Sequence, residues 1–346
     1  MKFAPFANIQ CREGHDYNAI YRGRIDEAVM SEKLGYDAFY IAEHAFVEHG
    51  RPSPAVTLGH IAAKTKRIRL GTAVSVLPWH NPLEVAQDYA TVDILSEGRL
   101  NFGVGRGGAK HEFDCYGIDY ETSGERYYEA LQVVLKAWEG KPFSFKGDFF
   151  EFPELYVNPM PVQRPHPPLF QPTLSPASMA AVVPQGITPI VGASFSAPAR
   201  IKENFSHLGE ILKKEGRTDM DRIAHPHIFI SDTVEKAREE ARESVEWLLE
   251  DFAEWFVLPD GEEYPEKFKG RKLMGDYIRS LSFEKVIEED LMWIGDANYI
   301  EERVKWLRDE CGATYVISNM SPGGMEHEKV AKSMELLATK VMPKFQ

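Results

Sequence analysis

Short apolar runs alternate with longer amphipathic stretches along the whole chain. The apolar runs fall at residues 2–9, 37–42, 67–77, 99–105, 167–174, 188–194, 222–230 and 313–320. Each precedes a stretch with helical character, such as 22–34, closed by Gly35, and "GERYYEALQVVLKAWEG", whose apolar positions recur at helical spacing. Pro54 after Ser53, Pro82 and Asp232 mark further helix starts. Strands separated by helices of this length must run parallel, because a tight turn reverses direction and a crossover does not. Eight such units, with no GxGxxG after the first strand, favour an α/β fold of the closed (β/α)8 TIM-barrel type in a single domain over residues 1–346. A doubly wound open sheet is the competing architecture.

Two segments interrupt the alternation. Residues 141–166 read as a hairpin turning at "KGD" and then a Pro-rich connector, after the fourth unit. Residues 251–295 form a long insert in the seventh unit, of the kind that serves as a lid, with Gly261, Gly270 and Gly275 as candidate hinges.

Composition narrows the partners. A net charge of −13 disfavours nucleic acid or an anionic membrane surface. Three scattered cysteines, Cys11, Cys115 and Cys311, contain no CxxC pair and suggest neither a disulfide framework nor a zinc–thiolate site. With no signal-like or membrane-spanning apolar run, a cytoplasmic location is expected.

A parallel barrel gathers the C-terminal ends of its strands at one mouth, so polar residues there are candidates for chemistry. "YIAEHAFVEHG" places Glu43 and His44 at the end of the second strand. The fourth strand runs into "GVGRGGAKHEF", where glycines admit close backbone approach and Arg106 adds a permanent charge. The fifth runs into "TLSPAS", where Leu174, Ser175 and Ser178 open a helix. A Gly-Arg loop beside a Ser-rich helix start points to a bound phosphate. A metal site drawn from Glu43, His44, Glu48, His49 and His60 is disfavoured: His44 and His49 stand five apart, off a common helical face, and the first strand ends without HxH. No GxSxG elbow supports a serine triad, and His225 and His227, alternating on one strand around Pro226, read as structural or as one inward-pointing histidine.

These residues carry a resemblance. "YIAEHAFVEHG", the block "LSEGRLNFGVGRG", the "SPAS" helix start and "ECGATYVISNM" together resemble the bacterial luciferase-like, flavin-dependent monooxygenases. The resemblance implies a TIM barrel that binds FMN as FMNH2 and reacts it with O2 to a C4a-peroxyflavin that oxygenates a small organic substrate. It implies that His44 acts in acid/base steps, and that Arg106, Arg126, Ser175 and Ser178 meet the phosphate. It also implies a non-prolyl cis peptide at Ala73–Val74 under the flavin ring. Ala45 and Gly105 stand where luciferase α chains have a second histidine and a reactive cysteine, which argues against light emission from a long-chain aldehyde.

The family implies FMNH2 delivered by a separate flavin reductase, and a dimer, either of this chain with itself or with a paralogue. An F420-dependent hydride-transfer oxidoreductase, a non-catalytic flavin-binding protein and a metal hydrolase are the alternatives.

Overall fold

Strand Lys2–Ala7 buries every residue except Lys2, as a strand covered on both faces must. It lies between Ala38–Ile41, the second strand, and Tyr315–Asn319, the eighth. Parallel pairing continues through Arg69–Thr72, Leu100–Gly105, Leu169–Thr173 and Thr188–Val191 to Ile223–Ala224, which returns to the eighth strand. The result is a closed barrel of eight parallel strands, with no open sheet. The computed structural model describes the chain apart from residues 13, 46–52, 193–194, 259–262 and 265.

The barrel interior is filled by Phe6, Tyr40, Phe170, Ile190, Tyr315 and Ile317. Alternate residues of the same strands, Phe3, Phe39 and Phe102, face the surrounding helices. Trp79 instead joins Val76 and Phe113 at the mouth.

Two strands differ from the sequence expectation. The run 67–77 is interrupted at Ala73–Val74, whose peptide is cis; Ser75–Val76 then pairs with Val104–Gly105. The run 222–230 breaks around Pro226, which has no N–H to donate. Its second half, Ile228–Ile230, pairs with Trp293–Gly295, a strand the sequence reading did not find inside the 251–295 insert.

Most other described residues of that insert are helical. Helix Val234–Glu254 is capped by Thr233, whose hydroxyl accepts from the Lys236 N–H, rather than by Asp232. Asp232 pairs with Lys236 and Lys332 instead. Similarly, Ser53 precedes helix Pro54–Lys64 without a side-chain cap bond. Helices Lys269–Arg279 and Phe283–Glu288 follow in the insert. Gly275 is a packing position: a Cβ there would stand 2.5 Å from Phe256 Cβ. Gly261 lies outside the described residues. The hairpin pairs Phe143–Lys146 with Glu151–Leu155 around Gly147 and Asp148. No helix among the described residues is long and apolar enough to cross a membrane.

Candidate functional site

The second strand delivers Glu43 and His44 to the mouth with different tasks. Glu43 is 3% exposed. Its carboxylate accepts from the Val76 N–H at 2.7 Å and meets His80 Nε2 at 2.9 Å, so it pins the chain just beyond the cis peptide. His44 Nδ1 lies 3.3 Å from Glu112 Oε1, and its ring rests on Trp255 with centroids 4.1 Å apart. Glu112 is buried in the short helix Lys110–Cys115, and the same Oε1 accepts from the Ala45 N–H at 2.8 Å. An ionised Glu112 can only accept, so Nδ1 carries the hydrogen toward it, and Nε2 has no hydrogen-bond partner among the described residues. The sequence reading missed Glu112 and Trp255, since nothing local distinguishes them.

The loop after the fourth strand supplies Arg106. Its Nη1 donates to Ser123 Oγ at 3.1 Å, and its guanidinium lies over the rings of Phe268 and Tyr120. Burial pushes the Arg106 pKa down; Tyr120 opposes that shift, whereas the neighbouring Arg271 adds to it. Arg271 comes from insert helix Lys269–Arg279 and stacks on Phe256. The Glu125 carboxylate also favours the Arg106 charge, as the weakest of these influences. Two half-buried like charges at one wall create a strong preference for an anion.

Glycine is required where this loop passes the third strand. A Cβ on Gly105 would stand 2.5 Å from Val74 Cγ2, and Gly107 holds φ +87°. Gly105→Ala is therefore expected to lower thermal stability by about 1–3 kcal/mol through overpacking, read by calorimetry; an unchanged melting temperature would show that Val74 yields freely.

Ser175 and Ser178 form a reciprocal cap on helix Pro176–Val182: the Ser178 N–H donates to Ser175 Oγ and the Ser175 N–H to Ser178 Oγ, each at 3.2 Å. Leu174 is half exposed beside them.

One cavity of about 440 Å³ is lined by Glu43, His44, Ala73, Val74, Arg106, Leu174, Ser175 and Ser178 together, with Glu112 and Arg271. Its size suits a small-molecule site. Arg126 is not among its walls: it lies over Phe150 of the hairpin, and its Nε donates to the Pro78 carbonyl. A larger cavity of about 670 Å³ lies within the insert, between Phe256 and Arg279, but none of the strand-end residues opens into it. Among the described residues no group of three His, Cys, Asp or Glu side chains is placed to hold a metal; Glu48 and His49 lie outside the described residues.

The family model described as luciferase-like monooxygenase matches residues 1–311. The oxygenase component of flavin-dependent trigonelline monooxygenase from Acinetobacter baylyi is 25% identical over 100% of this chain and 96% of its own length. Two solved structures share the fold. The oxygenating constituent of 3,6-diketocamphane monooxygenase from Pseudomonas putida, in complex with FMN, superposes with a TM-score of 0.81 at 18% identity, covering 99% of this chain and 98% of that one. An F420-dependent secondary alcohol dehydrogenase does so at 0.75 and 20% identity, covering 100% and 99%.

Proposed function

Because the chain belongs to the luciferase-like monooxygenase family, we propose that its barrel mouth binds reduced FMN and uses O2 to oxygenate a small organic substrate. The observation that carries this reading is the single cavity that joins an anion-seeking wall to a histidine oriented by a buried carboxylate. The residues present fit the cofactor. Arg106 and Arg271, two cations lining one cavity, suit the phosphate, with Ser175 and Ser178 in the same lining. The Ala73–Val74 edge, held by Glu43 through Val76 and kept open by Gly105, offers backbone to a flat ring.

Bound there, reduced flavin supplies the two electrons that activate O2. The chain supplies orientation, proton control and dryness. Glu112 holds His44 with Nε2 available to take or give a proton at the cavity. Trp255 covers the His44 ring, and the insert helix brings Arg271 over the phosphate end, so closure excludes water and cradles charge in one movement. Arg271→Ala is expected to weaken FMN binding about three- to tenfold, as loss of one partly solvated charge contact does; equal affinity in a fluorescence titration would remove the lid from the phosphate site.

A separate reductase supplies FMNH2, a division of labour supported by the naming of the trigonelline relative as an oxygenase component. Stopped-flow addition of FMNH2 and O2, with oxygen uptake matched to product, tests the whole reading. The likeness to an F420-dependent alcohol dehydrogenase favours F420-dependent hydride transfer as the second reading; oxidation of an alcohol with F420 and no oxygen uptake would select it.

The working unit is a dimer. Val56 is 73% exposed and Leu95 59%, on the contacting helices Pro54–Lys64 and Pro82–Leu95, and a second copy would cover them. Sedimentation is expected to give a dimer that Leu95→Glu dissociates; a monomeric wild type would refute it.

A further inference from the structure

The seventh, eighth and first strands bring a second set of polar side chains to the mouth. Phe6 pairs in register with Asn319, and Asn319 with His227. Phe6 belongs to the barrel interior; Asn8 and Gln10 follow just past the end of the first strand, and Ser321 just past the end of the eighth. In this sector Asn8 Oδ1, Gln10 Oε1, Ser321 Oγ and both ring nitrogens of His227 are buried with no hydrogen-bond partner among the described residues. Gln10, Ser321 and His227 are each at most 3% exposed. An unpaired buried polar atom costs more than an average hydrogen bond contributes, so such atoms in one sector call for a ligand or ordered water.

An aromatic wall links this sector to the proposed acid/base histidine. His44 rests on Trp255 at 4.1 Å, Trp255 on Phe252 at 4.5 Å, Phe252 meets Phe195 at 5.7 Å, and Phe195 stacks on His227 at 5.7 Å and 23°. His225, the neighbouring imidazole, has its Nδ1 engaged by the Ile317 carbonyl at 2.7 Å.

We propose that this sector is the acceptor subsite of the mouth, where His227, Asn8, Gln10 and Ser321 bind an uncharged organic substrate through a carbonyl or hydroxyl while its apolar body lies along Phe195, Phe252 and Trp255. The assignment rests on the flavin-dependent reading of the same mouth. The unpartnered atoms come from amides, a hydroxyl and an imidazole. Burial drives the His227 pKa down to about 3, with His225 acting in the same direction, so the ring is neutral at physiological pH and offers one donor and one acceptor. Arg12, the cation nearest Gln10 in sequence, is engaged by Glu243, Ser244 and the Gly323 carbonyl. Among the described residues a carboxylate or sulfonate would therefore find no counter-charge there, which selects against it.

The test uses flavin-free protein labelled with 15N-histidine. Cyclohexanone, benzaldehyde and benzyl alcohol serve as neutral probes, and cyclohexanecarboxylate and benzenesulfonate as anionic ones. Neutral probes are expected to shift the His227 ring nitrogens saturably while the anions leave them unmoved. His227→Phe keeps a ring on Phe195 and is expected to weaken neutral-probe binding about tenfold, the loss of one or two hydrogen bonds, with FMN affinity unchanged. Should that variant fail to fold, Ser321→Ala and Gln10→Leu carry the same comparison. Unmoved His227 resonances with every neutral probe, equal binding of the anions, or full affinity in the folded variants would overturn the subsite. Probe binding by a wild-type protein that takes up no flavin would support the subsite and overturn the proposed function.

Discussion

His44→Ala is expected to lower coupled oxygenation about 10²–10⁴-fold, the range of one positioned acid/base group, with FMN affinity within a factor of about two to three of wild type. The two effects separate because His44 is held by Glu112 and Trp255, whereas Arg106 contacts Ser123, Tyr120 and Phe268. Flavin oxidation is expected to continue and release H2O2, since electron supply does not need the imidazole whereas product formation needs its proton. Glu112→Gln sharpens the test. An amide at that position can present its NH2 to the ring and reverse the nitrogen that carries the hydrogen, without emptying the space. It is expected to reproduce most of the His44→Ala loss and to move the pH profile of product formation, a readout that simple loosening of the Ala45 N–H contact would not shift. Stopped-flow absorbance with peroxide quantitation measures both variants; wild-type coupling in either would remove the pair from the chemistry.

Arg106→Ala is expected to raise the FMN dissociation constant about ten- to hundredfold. Charge-assisted hydrogen bonds contribute about 1.5–3 kcal/mol each, and each 1.4 kcal/mol is tenfold. The flavin-free protein should lose little stability and can gain some. Burial and the nearby Arg271 both work against the Arg106 charge, which Tyr120 and Glu125 favour, so its removal relieves a penalty that a bound anion would otherwise help to offset. The residual affinity should depend less on salt than that of wild type, because one screened charge pair has gone. Fluorescence titration at two ionic strengths, beside a thermal melt without flavin, reads both halves. Unchanged affinity, or a flavin-free protein that unfolds, would move Arg106 from the phosphate wall to the scaffold.

The barrel was legible because its signal is local. Burial on both faces makes each parallel strand an apolar run, and the following helix shows a 3.6-residue period, so the eight units are readable in order. Where the reading failed, a non-local partner was involved. The run 222–230 looks continuous, yet Ile228–Ile230 pairs with Trp293–Gly295, which is too short and too far along the chain to announce itself. Arg126 follows an amphipathic helical pattern like its neighbours, and only packing shows that it is taken up by Phe150 and Pro78.

By itself the sequence determined the alternating architecture, the convergence of strand ends on one mouth, and His44, Arg106, Ser175 and Ser178 as residues worth testing. These follow from periodicity and from residue chemistry at the ends of apolar runs, which neighbouring positions encode. The tertiary structure alone decided that Glu112 faces His44 across 68 residues of chain, that Glu43 serves Val76 and His80, and that Arg271 approaches Arg106 from the insert. Single polar contacts between distant segments leave no repeating trace along the chain. They exist only once the closed barrel has brought its strand ends within hydrogen-bonding distance.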